Sequence, residues 1–151
     1  MLKWTVILIA FLLWLIPQDE KHRLVVTIKN IKPLKGDLYL SIHQGAEYFY
    51  IPDSALMKRK LRVGSETETL IFENVPEGRI AVAVYHDENL NGKMDANEIG
   101  IPFEGYGFST NPRVPGRPKF EQAAFDFIKN DSIIIRMIYH PFPSDKKAST
   151  K

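Results

Sequence analysis

The sequence predicts an all-β sandwich. Three observations lead there. Apolar residues recur at every second position in several short runs, turn signals built from Gly, Pro, Asn and Asp separate those runs, and no stretch has the spacing of a long amphipathic helix. Alternation of period two sends successive side chains to opposite faces of a strand, so each run carries one face for a core. Two stacked layers of such strands bury those faces together.

The elements follow in order. RLVVTIKNI puts Leu24, Val26 and Ile28 on one face and Thr27 and Lys29 on the other. After a Pro33 to Gly36 turn, GDLYLSIHQ turns Leu38, Leu40 and Ile42 inward and Tyr39, Ser41 and His43 outward. SALMKRKLR, residues 54–62, is the best helix candidate but reads equally as a strand, and its basic cluster suits a charged edge that discourages edge-to-edge pairing. ETLIF buries Leu70 and Phe72, and Pro76-Glu77-Gly78 marks the next turn. RIAVAVYH is apolar on both faces, with Ile80, Val82 and Val84 on one and Ala81, Ala83 and Tyr85 on the other, as expected of a central strand lying under another layer. After Asn130-Asp131, SIIIRMIY lines up Ile133, Ile135, Met137 and Tyr139.

The ends stand apart from this domain, which is expected to span residues 21–141. Residues 1–20 read as a secretory signal: Met1 to Lys3 supply a positive start, Trp4 to Ile16 form an apolar run, and Pro17 and polar residues follow. The run falls short of the roughly 20 residues of a spanning helix. No small-x-small pattern precedes Gln18, so an uncleaved N-terminal anchor is the alternative, and membrane contact would then go through this segment only. Either way the domain is expected to be exported into oxidising, calcium-bearing surroundings. Residues 142–151 are expected to be a disordered polar tail.

Composition narrows the function. A chain of 151 residues, 44% hydrophobic and 25% charged, is ordinary for one globular domain. A net charge of +2 is too small to point to nucleic acid. The absence of cysteine removes disulfides, zinc–thiolate sites and thiol catalysis.

The strongest motif is HDENLNGKMDANEIG, residues 86–100. Aligned on the twelve-residue calcium loop, Asp87, Asn89, Asn91, Asp95 and Glu98 fall at the positions that offer side-chain oxygens. Gly92 falls at the sharp turn, and Lys93 falls where a backbone carbonyl is used. A hard cation wants six to eight oxygens at about 2.3–2.6 Å, and alternate side chains on a tightly curled loop converge on one point. An all-oxygen set favours Ca²⁺ over zinc or copper, with Mg²⁺ as the smaller alternative. A β-rich run precedes the loop, and Gly100, Pro102 and Gly105 follow it, so the helix pair of an EF-hand is excluded. The competing reading is a set of Asx turns around Gly92 that holds no metal.

Residues 100–118, GIPFEGYGFSTNPRVPGRP, show no strand pattern and read as a long loop. Phe103, Tyr106 and Phe108, with Arg113 and Arg117, could bind a glycan or peptide. The plainer expectation is that the rings plug the open end of the sandwich, pinned by the calcium loop. No serine stands in a nucleophile setting, and the histidines His22, His43, His86 and His140 lie in unrelated contexts, so an enzyme is not expected. The alternative is a hydrolase that would gather Glu104, His86 and Tyr106 around a cleft.

FENVPEGRIAVAVYHDENLNGKMDANEIGIPFEGYGFSTN, followed by KFEQAAFDF and a closing apolar strand, resembles the bacterial family catalogued as domain of unknown function 2141. The motif is carried by Val84 to Asp95 and Gly100 to Ser109, and the likeness covers roughly residues 23–140. The resemblance implies an immunoglobulin-like or prealbumin-like β-sandwich of about seven strands, exported to the periplasm or outside of a bacterial envelope, with no established activity. It implies Asp87, Asn89, Asn91 and Asp95 as a shared site. Family members often carry an aromatic or apolar residue in place of Glu98, which leaves Asn97 as the other residue to close the shell.

Overall fold

The computed structural model describes residues 21–141, so the expected signal or anchor at 1–20 and the expected tail at 142–151 lie outside the described residues. The strands are β1 (Lys21–Lys29), β2 (Asp37–Gln44), β3 (Met57–Arg62), β4 (Thr67–Pro76), β5 (Gly78–Asp87), β6 (Tyr106–Phe108), β7 (Phe125–Phe127) and β8 (Asp131–Arg136). A single turn of helix, α1 (Phe120–Ala123), is the one α-helix among the described residues. The fold is the all-β sandwich that the alternation predicts.

One sheet has three strands in the order β4-β1-β8, and the other runs β3-β2-β5-β6, with β7 also pairing with β5. β1 lies antiparallel to β4 and parallel to β8. The inward faces match the sequence reading. Leu24, Val26 and Ile28 of β1, Phe72 of β4 and Ile135 of β8 pack against Leu38, Leu40 and Ile42 of β2 and Ile80, Val82 and Val84 of β5. Removing one such aliphatic side chain from water contributes about 1.5–3 kcal/mol, so this seam is the main source of stability.

β5 is covered on its other face as well. Ala81 packs there with Phe49, Phe108, Phe120, Ala123 and Ala124, and Ala83 and Tyr106 lie against the same cluster. Small residues on β5 leave room for that second aromatic layer, which explains why the strand is apolar on both sides. β3 resolves the ambiguity of SALMKRKLR: it is the edge strand, paired only with β2 in its sheet. Two of its cations, Lys60 and Arg62, lie 2.8 Å and 3.1 Å from the buried Asp37 carboxylate.

The two sheets are stitched at one side. Tyr106 of β6 exchanges backbone hydrogen bonds with Ile138, just past β8, at 3.1 Å and 2.7 Å. β6 itself corrects the reading of 100–118 as a stretch without strand. It was hidden because it has three residues and a central glycine. A Cβ on Gly107 would sit 2.6 Å from the Ile135 Cγ2, so close packing on the neighbouring sheet demands the residue that conceals the strand.

Candidate metal-binding loop and the aromatic face beside it

The loop is the connection between β5 and β6. Asp87 is the last residue of β5, and the chain returns at Gly105, whose carbonyl accepts the His86 N–H at 2.8 Å. Asp87 is fully buried. Its Oδ1 accepts the Asn91 N–H at 3.1 Å and its Oδ2 accepts the Gly92 N–H at 2.8 Å. The Asn91 N–H is shared with the Asn89 Oδ1 at 3.2 Å, which brings those two side chains together. Asn91 Oδ1 in turn accepts the Lys93 N–H at 2.8 Å.

The far side closes through Asp95. The Asn89 and Asn91 amides each donate to Asp95 Oδ2 at 2.8 Å. Asp87, Asn89, Asn91 and Asp95 therefore converge, as the spacing requires. Gly92 holds φ 75 at the bend, where a side chain would be strained. Each oxygen that accepts one backbone N–H keeps a second lone pair, so these Asx turns are compatible with a bound cation. Among the described residues no group of three or more His, Cys, Asp and Glu side chains gathers as a metal cluster. Half of this candidate set is amide.

Glu98 is placed elsewhere. Residues 96–102 form a small hairpin, with Ala96 bridged to Pro102 and the Asn97 N–H donating to Ile101 at 2.9 Å. Gly100 N–H donates back to the Asn97 carbonyl at 2.9 Å, which sets Glu98 on the exposed corner of the turn. Asn97 spends its side-chain oxygen inside the hairpin, accepting from Ile99 at 3.1 Å and Ile101 at 2.8 Å. The side-chain oxygen of Asn97 thus serves the turn itself, and Glu98 faces solvent.

The acid beneath the loop is Glu104. It is 2% exposed, its Oε1 accepts the Glu88 N–H at 3.1 Å and its Oε2 accepts the Asp95 N–H at 2.9 Å. Sequence spacing could not reveal this, because the contact depends on the chain returning as β6. Tyr85 adds a second tie: its hydroxyl donates to the Gly92 carbonyl at 3.3 Å. Burial, then the neighbouring Tyr39, Asp87 and Glu104, push that hydroxyl up to about 12, so it stays a donor at neutral pH.

Two of the aromatics of 100–118, Tyr106 and Phe108, lie on the outer face of the sheet and not at an end of the sandwich. Phe108 lies in the outer-face cluster with Phe49 and Phe120, and Tyr106 packs against it while its hydroxyl meets His140 Nε2 at 3.0 Å. The alternation of the rings with glycine sets them on one face of β6, over β5. Arg117 stacks over the Tyr50 ring at 5.4 Å, and Arg113 is exposed. Next to this cluster, Tyr39 and Tyr85 stand face to face across β2 and β5, 4.8 Å apart, with Lys60 over Tyr39. Phe49 gave no periodic signal, since it caps the end of a short 3₁₀ turn (Ala46–Tyr48).

The three residues of the hydrolase reading have separate partners. His86 is fully buried, with Nε2 donating to the Lys35 carbonyl at 2.6 Å and Nδ1 on the Tyr139 hydroxyl at 2.9 Å. Glu104 grips the loop, and Tyr106 meets His140.

Fold and site together define a β-sandwich domain whose β5–β6 connection is an Asx-rich loop clamped by a buried acid. The chain belongs to the family described as an uncharacterized protein conserved in bacteria (DUF2141), whose model matches residues 26–135. Neither the curated proteins nor the solved structures provide a match.

Proposed function

We propose that this is an exported β-sandwich module of binding or structural role, in which a Ca²⁺ ion held by residues 87–95 orders the β5–β6 connection and the aromatic face beside it. The observation that carries the metal is Asp87. A carboxylate removed from water is costly unless its charge is balanced, and the described partners of Asp87 are two backbone N–H groups. Three further oxygen-bearing side chains converge on the same loop. Asp87, Asn89, Asn91 and Asp95 would supply side-chain oxygens and Lys93 its carbonyl. Glu98 could join only by leaving its turn.

The magnitude fits a local role. Extracellular calcium modules bind at about 10⁻⁴–10⁻³ M. At about 1 mM calcium, a Kd of about 10⁻⁴ M stabilises the fold by about 1.4 kcal/mol, enough to order a loop and too little to hold a domain together. The separate partners of Glu104, His86 and Tyr106 favour a non-enzymatic role over a hydrolase. A glycan or peptide is the proposed class of partner for the tyrosine and arginine surface around Tyr39, Tyr50 and Arg117.

Thermal unfolding of the full chain in EDTA, in millimolar Ca²⁺ and in millimolar Mg²⁺ tests the reading. Calcium should raise the Tm by a few degrees, and Asp87→Ala should abolish the rise. Coincident curves for the wild-type chain would reduce the loop to metal-free Asx turns.

A further inference from the structure

We infer that Glu104, not Glu98, is the acid that closes the metal loop, acting as a positioning residue through the backbone. The inference rests on the calcium reading above and concerns how that site is built. In the twelve-residue template the last acid closes the loop by reaching the ion directly. Here the residue at that position stands on the exposed corner of the 97–100 turn, and the hairpin from Ala96 to Pro102 holds it there.

Glu104 performs the closure from below. One oxygen takes the N–H of Glu88, immediately after the first ligand, and the other takes the N–H of Asp95, the last converging side chain. A single carboxylate thus fixes the distance between the entry and the exit of the ligand segment. Its own position is fixed by burial and by the chain that follows, where Gly105 and Tyr106 bond to His86 and Ile138. The Phe103 N–H to Asp95 carbonyl bond, at 2.8 Å, adds a backbone tie at the same neck. Charge-assisted bonds from N–H to carboxylate are the strong kind, and both of these are part-buried on a carboxylate that is itself buried.

A ligand segment gathered in advance binds its ion with less ordering cost. Glu104 therefore sets affinity without touching the ion, and it is also the step by which an occupied loop steadies β6 and the rings that β6 carries.

Calcium titration calorimetry on the full chain, with Glu104→Gln, Glu104→Asp and Glu98→Gln, tests this, alongside Tm in EDTA for each variant. Glu104→Gln places an amide donor where an N–H must be accepted, and should weaken calcium binding at least tenfold while the variant stays folded. Glu98→Gln should stay within twofold of wild type. Should Glu104→Gln fail to fold, Glu104→Asp, which keeps the charge and shortens its reach, carries the comparison and should also weaken binding several-fold. A tenfold loss in Glu98→Gln, or wild-type affinity in a folded Glu104 variant, would overturn the assignment. A wild-type chain that takes no calcium fails earlier and differently: it removes the calcium reading, and this inference with it, before any variant is compared.

Discussion

Leu90 sits in the left-handed region at φ 64, with its side chain 51% exposed. A branched apolar residue has no local hydrogen bond to offset that conformation, which costs roughly 1–2 kcal/mol, whereas asparagine tolerates it. Leu90→Asn should therefore stabilise the protein by up to about 1 kcal/mol in urea unfolding carried out in EDTA. A loss of stability would mean that Leu90 packs more usefully than its exposure suggests. Legibility at this scale followed sequence distance. Asp87, Asn89, Asn91 and Asp95 meet within one curled loop, so their spacing alone foretold that they converge. Glu104 meets the same loop only because β6 returns along β5, and Glu98 is drawn away by a hairpin whose only sequence cues are Asn97, Gly100 and Pro102. The local template names Glu98 and is blind to Glu104, whose contact with the loop is made by the returning strand.

β6 is short, and its place depends on what its glycine omits. Replacing Gly107 by alanine would set a methyl group 2.6 Å from Ile135 and 3.2 Å from the Arg136 carbonyl. Overpacking of this kind costs about 1–3 kcal/mol, and the strain should fall on the stitch between Tyr106 and Ile138. Gly107→Ala is thus expected to lower the Tm and to speed hydrogen exchange at the Ile138 amide, while Gly116→Ala, in open space though at φ 75, should leave that amide unchanged. The long strands were readable because alternation over eight or more residues is hard to mistake. The three-residue strands β6 and β7 lack the length for a period. Asn111 shows a further device beyond sequence reading: its amide donates to the Ile134 carbonyl and accepts from the Arg136 N–H, both at 2.7 Å, and so covers the open side of β8.

Across the whole molecule, one buried histidine couples the sandwich to its outer layer. His43 lies 3% exposed beneath Phe49, with Nε2 on the Ser41 hydroxyl at 2.8 Å. Burial, with a smaller contribution from Lys58, holds its pKa below the ordinary 6.5, against an opposing pull from the Tyr48 backbone. The unfolded chain then takes up a proton before the folded one does, so stability falls as the pH drops below about 6.5. His43→Gln should shrink the fall in Tm between pH 7.5 and pH 5.5, and an unchanged fall would place the acid sensitivity elsewhere. The fold class was legible because every long run repeats the same period, but the order of strands was not, since nothing in a strand names its neighbour. That order has a consequence for how the chain comes into being. β1 lies between β4 and β8, and its parallel partner comes from the other end of the domain. A ribosome that has released everything up to Asn130 has released a chain whose first strand still offers an open row of amides and carbonyls. The domain is vulnerable to cross-pairing between chains until the last strand is delivered, and a product truncated before Asp131 would keep that vulnerability permanently.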